Sequence, residues 1–201
     1  MRRPLLAAWL GLVIAISCSA QVQSWRIDPS HSSAGFAVRH LGISTVRGDF
    51  KKLSGKVFYD PGDLGKSSLD ATIDATTVST GVEMRDNDLR GPHFFDVEKF
   101  PVITFKSKRI ASAGPGKLRL TGDLTMHGVT KEVLLDVDGP TSPVKDPSGA
   151  TRMGVSATTK INRRDFGVDG ATATVGDEVQ IMLDVELVDA SSPPNSGPLK
   201  K

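Results

Sequence analysis

Glu178-Val179-Gln180-Ile181-Met182-Leu183-Asp184-Val185-Glu186-Leu187 decides the fold class of this chain. Successive side chains of an extended strand point to opposite faces. Val179, Ile181, Leu183, Val185 and Leu187 therefore share one face, and Glu178, Gln180, Met182, Asp184 and Glu186 share the other. This is a strand with one dry side and one wet side. Working outward, the same period of two recurs. Leu69, Ala71, Ile73 and Ala75 oppose Asp70, Thr72, Asp74 and Thr76. Leu118, Leu120 and Leu124 oppose Arg119, Thr121 and Asp123, and Val133, Leu135 and Val137 oppose Glu132, Leu134, Asp136 and Asp138. Ala34, Phe36 and Val38 form one face of a strand that reaches His40.

Turn chemistry separates these runs. Asp60-Pro61-Gly62-Asp63, Ala113-Gly114-Pro115-Gly116 and Asp146-Pro147-Ser148-Gly149 each join a fixed φ to a permissive glycine. About eight strands at short spacing read as a sandwich or an up-and-down barrel. One helical segment stands out. Thr80-Gly81-Val82-Glu83 has capping-box spacing, Gly91-Pro92 is a stop signal, and the mostly polar residues between suit a helix lying across one end. Slim inward residues (Ala34, Ala71, Ala75, Gly122, Ala157) and an aromatic content of 5% favour a barrel with room for a ligand over one filled by side chains. A filled core remains the alternative.

The ends of the chain read differently. Met1-Arg2-Arg3, an uncharged stretch from Leu5 to Ile16 and the small residues Ser17 to Ala20 have the parts of a secretory signal peptide over residues 1–20. The stretch is shorter than the roughly 20 residues that cross a bilayer core. Cys18 is the only cysteine. Ala15-Ile16-Ser17 lacks the leucine usual before an acylated cysteine, so cleavage after Ala20 is favoured and lipoprotein anchoring at Cys18 is the alternative. A mature chain without thiols excludes disulfides and cysteine catalysis. The domain spans 21–189, and residues 190–201, rich in Ser and Pro, read as a disordered tail. Without Arg2 and Arg3 the charge is 23 basic against 23 acidic, which gives no basic face for nucleic acid. No later segment is apolar enough to span a membrane.

An ordered set of blocks then carries a resemblance. Trp25-Arg26-Ile27-Asp28-Pro29-Ser30-His31-Ser32 precedes Phe36-Ala37-Val38-Arg39-His40 and Gly48-Asp49-Phe50. Met84-Arg85-Asp86-Asn87-Asp88-Leu89, Phe94-Phe95-Asp96 and Phe100-Pro101-Val102-Ile103-Thr104-Phe105 follow. Gly122-Asp123-Leu124-Thr125-Met126-His127-Gly128-Val129-Thr130-Lys131 leads to Ile161-Asn162-Arg163-Arg164-Asp165-Phe166-Gly167-Val168. In this order the chain, over roughly Trp25 to Val188, resembles the YceI-like family of exported bacterial proteins. The resemblance implies an all-β, eight-stranded antiparallel lipocalin-like barrel whose lumen holds a polyisoprenoid or related long-chain lipid. It also implies a periplasmic or secreted location, dimers in several members, and roles in isoprenoid quinone metabolism, lipid transport or storage, and stress tolerance.

The residues that would line the lumen are Phe36, Val38, Leu69, Ile73, Ile103, Phe105, Leu118, Leu120, Val133 and Leu135, all on dry faces. Arg85, Asp86, His127, Arg163 and Asp165 are candidates for a polar rim, where a charged cluster would tie the helix to the closing loop or meet a polar lipid head. His31, His40, His93 and His127 match no compact zinc spacing, so no metal is expected. His127, beside Gly128, reads as a turn-fixing residue. No Gly-x-Ser-x-Gly elbow, dinucleotide fingerprint or phosphate loop is present. The reading is a lipid-binding protein with no catalytic residues and no cofactor beyond the bound lipid. The alternative is an enzyme acting on an isoprenoid or quinone precursor at the barrel mouth, and it requires His31, His40, His127, Arg85 or Asp165 to converge.

Overall fold

Each dry face found in the sequence becomes the inner wall of an antiparallel ladder. A computed structural model describes residues 22–192. The signal-peptide reading, Cys18 and the tail beyond Ser192 lie outside the described residues. The strands are β1 (Gln23–Ile27), β2 (Ser33–His40), β3 (Ser44–Phe50), β4 (Leu53–Tyr59), β5 (Ser68–Asp74), β6 (Val78–Ser79), β7 (Val102–Gly114), β8 (Lys117–Met126), β9 (Val129–Asp138), β10 (Val144–Lys145), β11 (Thr151–Asn162) and β12 (Val175–Asp189). The α-helix is α1 (Glu83–Arg90).

Three pairs of these strands are successive parts of one long stave. β12 pairs with β2 along its first half and with β1 at its end, so β1 and β2 follow one another beside it. β3 and β4 pair with β2 and β1 in the same way, and β6 and β5 with β3 and β4. β7, β8 and β9 continue the meander, and β11 joins β9 to β12. The result is a closed barrel of eight antiparallel strands and one helix. β10 is a short edge pairing on β11. The closing seam is brief. β9 and β11 pair only from Ser156↔Asp138 to Thr158↔Asp136, whereas β11 and β12 pair from Arg152↔Val188 to Asn162↔Glu178.

The turns follow their chemistry. Asp60, buried, accepts the Gly62 and Asp63 N–H groups on Oδ1. Asp146 does the same for Ser148 and Ala150. Both hold reversals at the far end of the barrel, opposite α1. The helix end is closed by α1 and the segment after it, with Phe94 buried and the Phe95 ring edge-on to Phe50 at 5.4 Å. The expected capping box does not form. Val82 precedes the helix without a side-chain cap, and Thr80 donates both its N–H (2.7 Å) and its hydroxyl (2.5 Å) to Asp86 one turn further on. Asp86, not Glu83, therefore takes the Thr80 N–H, and among the described residues no helix N–H is capped by the Thr80 hydroxyl in return. Gly91 ends the helix as expected.

Candidate functional site

The inner faces enclose one long cavity of about 260 Å³. That is on the order of twenty times the room one water requires. The filled-core alternative is thereby set aside. Phe36 and Val38 on β2, Leu69 and Ile73 on β5, Ile103 and Phe105 on β7, Leu118 and Leu120 on β8, and Val133 and Leu135 on β9 all border it. Their position follows from the pleat, because each shares its strand face with the next apolar residue two places on. The cavity runs from Leu89, Phe94 and Phe95 at the helix end to Phe58, Ile110 and Pro140 at the far end. Among the described residues lining it, only Tyr59, Thr159 and Arg163 carry a polar side chain.

Several lining residues were not named as site residues from the sequence. Val179, Ile181, Leu183, Val185 and Leu187 belong to the alternation that opened the reading, and the same rule would have included them. Leu89, Phe94 and Phe95 come from the irregular helix end, where no period exists to reveal them. Two slim residues have roles different from the one expected: Ala75 is buried in a 3-10 turn after β5 and does not border the cavity. Gly122 does not leave space for a ligand, because the Phe105 ring fills it.

The rim residues lie at the helix end, but the expected charged cluster does not assemble. Arg85 donates from Nε to Thr80 Oγ1 at 2.7 Å and from Nη2 to the Thr80 carbonyl at 3.2 Å. The Thr80 hydroxyl, and also its N–H, hold the Asp86 carboxyl below its ordinary value despite burial. Arg163 is buried and turns its guanidinium onto backbone: Nε to Gly176 O, Nη1 to Val168 O and Gly170 O, and Nη2 to Val175 O, at 2.7–3.0 Å. A weaker contact reaches Asp177 at 3.4 Å. All five N–H donors are thus engaged within the loop, which leaves none for a lipid head. Burial pushes this guanidinium down from its ordinary value. Asp165 is exposed and, among the described residues, joins none of these bonds. No hydrogen bond or ion pair among the described residues links Arg85 or Asp86 to Arg163 or Asp165. The physical reason is local satisfaction: each buried charge finds partners within a few residues of its own loop.

His127 takes φ 52° at the β8–β9 reversal, and its Nδ1–H donates to the Phe166 carbonyl at 3.2 Å. Its ring lies edge-on to Phe100 at 4.9 Å. It fastens the turn to the short 3-10 segment Arg163–Phe166. The other candidates for an enzyme site lie elsewhere. His40 is on the β2–β3 hairpin, and His31 is on the outer wall between β1 and β2. Among the described residues no hydrogen bond or ion pair joins any two of the five.

A different polar cluster forms outside the barrel wall. Arg152 Nη1 donates to Asp28 Oδ2 at 2.7 Å and to Glu186, and Nε donates to Asp146 Oδ2 at 2.5 Å. His31 Nδ1 lies 3.1 Å from Asp28 Oδ2 and 3.7 Å from Glu186 Oε1. Asp28, His31 and Glu186 hold their donor atoms within 4.8 Å of one another, a convergence that spacing did not disclose. The arginine already supplies the positive charge on the carboxylates, so the cluster reads as a staple joining β11, β12 and the β1–β2 break. Burial pushes Asp28 up, but the bonds from Arg152, Ser30 and His31 outweigh it and hold the carboxyl below its usual range.

With the fold and the lumen in view, comparison with known proteins is direct. The family model for the YceI-like domain matches residues 25–187. The chain belongs to the YceI-like family. A UPF0312 protein from Vibrio cholerae serotype O1 is 34% identical over 185 residues, which is 90% of this chain and 97% of that one. The crystal structure of Burkholderia cenocepacia BcnA matches with a TM-score of 0.70 at 28% identity, covering 80% of this chain and 98% of its own. A polyisoprenoid binding domain from Saccharophagus degradans matches with a TM-score of 0.62 over 83% of this chain and 99% of its own. At 16% identity that likeness concerns the fold. Among the described residues no helix is long and apolar enough to cross a membrane.

Proposed function

We propose that this YceI-like protein is an exported carrier that holds a polyisoprenoid or similar long-chain amphiphile in its barrel lumen for transport or storage. One observation carries the reading: a long interior cavity whose described walls are apolar except for three side chains, one of them an arginine with its donors turned to backbone. A polar substrate would leave its hydrogen-bonding groups unpaired there. An apolar chain would not. Removing about 400 Å² of lipid surface from water contributes on the order of 10 kcal/mol. Lost motion and chain ordering cost several kcal/mol. The remainder, roughly 4–7 kcal/mol, corresponds to millimolar-to-micromolar affinity, enough for a carrier of an almost insoluble ligand.

A binding role is favoured over catalysis because the titratable groups that an enzyme would need stand apart. The S. degradans neighbour supports a polyisoprenoid as the ligand class. A periplasmic or secreted location and a link to quinone metabolism or stress tolerance complete the proposal. The test is to purify the exported protein, extract it with organic solvent and analyse the extract by mass spectrometry. A long-chain lipid in a molar ratio near one to one is expected. Repeated absence of such a lipid would count against the reading.

A further inference from the structure

The β2–β3 hairpin carries apolar side chains that the barrel does not use. Leu41 is 55% exposed and Ile43 is 80% exposed, and both stand on the turn between His40 and Ser44. The turn is fastened. Leu41 donates its N–H to the Thr174 carbonyl at 2.7 Å. Arg39 donates to the Gly42 carbonyl at 2.7 Å and to Thr45 Oγ1 at 2.8 Å. Two aliphatic groups are therefore held outward on a braced tip with little packing of their own. Exposed apolar residues scattered singly are ordinary, whereas two aliphatic groups held outward together on one braced tip mark a contact surface.

The charge on this hairpin is one-sided. Between Ser33 and Gly48 the hairpin has no carboxylate, yet it carries Arg39 and Arg47. Arg47 is exposed, and no acid among the described residues pairs with it. By contrast α1 presents Glu83 and Asp88 to solvent, so the hairpin rather than the helix has the cationic character. Aliphatic groups on a rigid tip beside arginines suit the interface of an anionic bilayer. The apolar groups leave water near the upper acyl carbons, and guanidinium groups meet phosphate oxygens. A second copy of the chain fits less well. A two-fold contact of the hairpin tip with itself would set Arg39 and Arg47 near their own copies, and the one carboxylate of the hairpin, Asp49, is already paired with Lys51.

We propose that the β2–β3 hairpin docks the protein on an anionic phospholipid surface, with Leu41 and Ile43 inserted and Arg47 on the headgroup phosphates. β2 runs from this tip directly into Phe36 and Val38 of the lumen wall, so docking sets the helix end of the cavity against the bilayer. The inference goes beyond the carrier reading and stands without it, because it concerns the outer surface alone.

The test is flotation of the exported protein with vesicles of phosphatidylglycerol and phosphatidylethanolamine, compared with vesicles of phosphatidylcholine. Binding is expected to the anionic vesicles, to weaken as salt rises, and to be slight on the neutral ones. Ile43→Asp should weaken it by about tenfold or more, and Arg47→Gln by about fivefold. Ile43 is mostly solvent-exposed, so the first variant folds; Arg47→Gln gives an independent reading of the electrostatic part. Equal binding to both vesicle types, or binding untouched by both variants, overturns the proposal. So does a dimer in the wild type that Ile43→Asp converts to monomer without any vesicle binding, which would make the tip a self-association surface.

Discussion

Phe105 lies where a side chain at Gly122 would have to be: a Cβ on Gly122 would stand 2.4 Å from Phe105 Cζ and 2.5 Å from the Lys106 carbonyl oxygen. The ring can swing, but the backbone oxygen belongs to the β7–β8 ladder and cannot yield without moving two strands. Gly122→Ala is therefore expected to destabilise the barrel by about 1–3 kcal/mol, the usual cost of forcing one extra carbon into a packed site. Chemical denaturation measures it, and an unchanged midpoint would show that the β7–β8 wall is softer than its geometry indicates.

Arg163 gives a second stability prediction. Its guanidinium organises the loop from Val168 to Asp177 through four carbonyls. Lysine keeps the charge but offers a point donor in place of a planar fork. Arg163→Lys is expected to cost about 3 kcal/mol, with faster amide exchange between Val168 and Gly176. Wild-type exchange in that loop would refute this role.

Arg152 sets the response to acid. Asp28 and Asp146 both titrate below the ordinary carboxylate range in the folded protein; for Asp146 the Ser148 hydroxyl and then Arg152 are the main causes. A carboxylate with a lowered folded value binds protons more readily when the chain unfolds. Its contribution is therefore complete above about pH 4 and fades as pH falls through the lowered folded values. Arg152→Gln would leave Asp28 buried without its main partner. At neutral pH the expected loss is about 3 kcal/mol. The acid-unfolding midpoint should rise by on the order of one pH unit. A variant with the wild-type acid midpoint would show that the staple does not govern the transition.

The fold was legible where one physical rule repeats. Period-two alternation on the segments that become β5, β8, β9 and β12 assigns each apolar side chain to one face, and those faces form the lumen. The splitting of three staves was not legible. Each break, such as Lys51–Lys52 between β3 and β4, is a local departure that leaves the alternation on either side intact. The rim was misjudged for a related reason. Arg85, Asp86 and Arg163 are charged residues in neighbouring blocks, and sequence suggests they meet; in the structure Thr80 and a set of carbonyls satisfy them first. The Arg152 staple was invisible because Asp28 and Arg152 are 124 residues apart and only barrel closure brings them together. Gly122 shows the limit of reading small residues as space, since a neighbour's ring can occupy it.

The lumen's capacity for an apolar chain is tested most directly by narrowing it. Ala71 and Val155 both border the cavity and are half-buried, packed against the core beside it. Ala71→Phe and Val155→Phe should fold with near wild-type melting temperatures. Uptake of a polyprenol by delipidated wild-type protein, followed by extraction and mass spectrometry, is expected to approach one molecule per barrel, and to fall by about tenfold or more in both variants. Equal uptake by the wild type and both folded variants would place the lipid outside the lumen and contradict the carrier account.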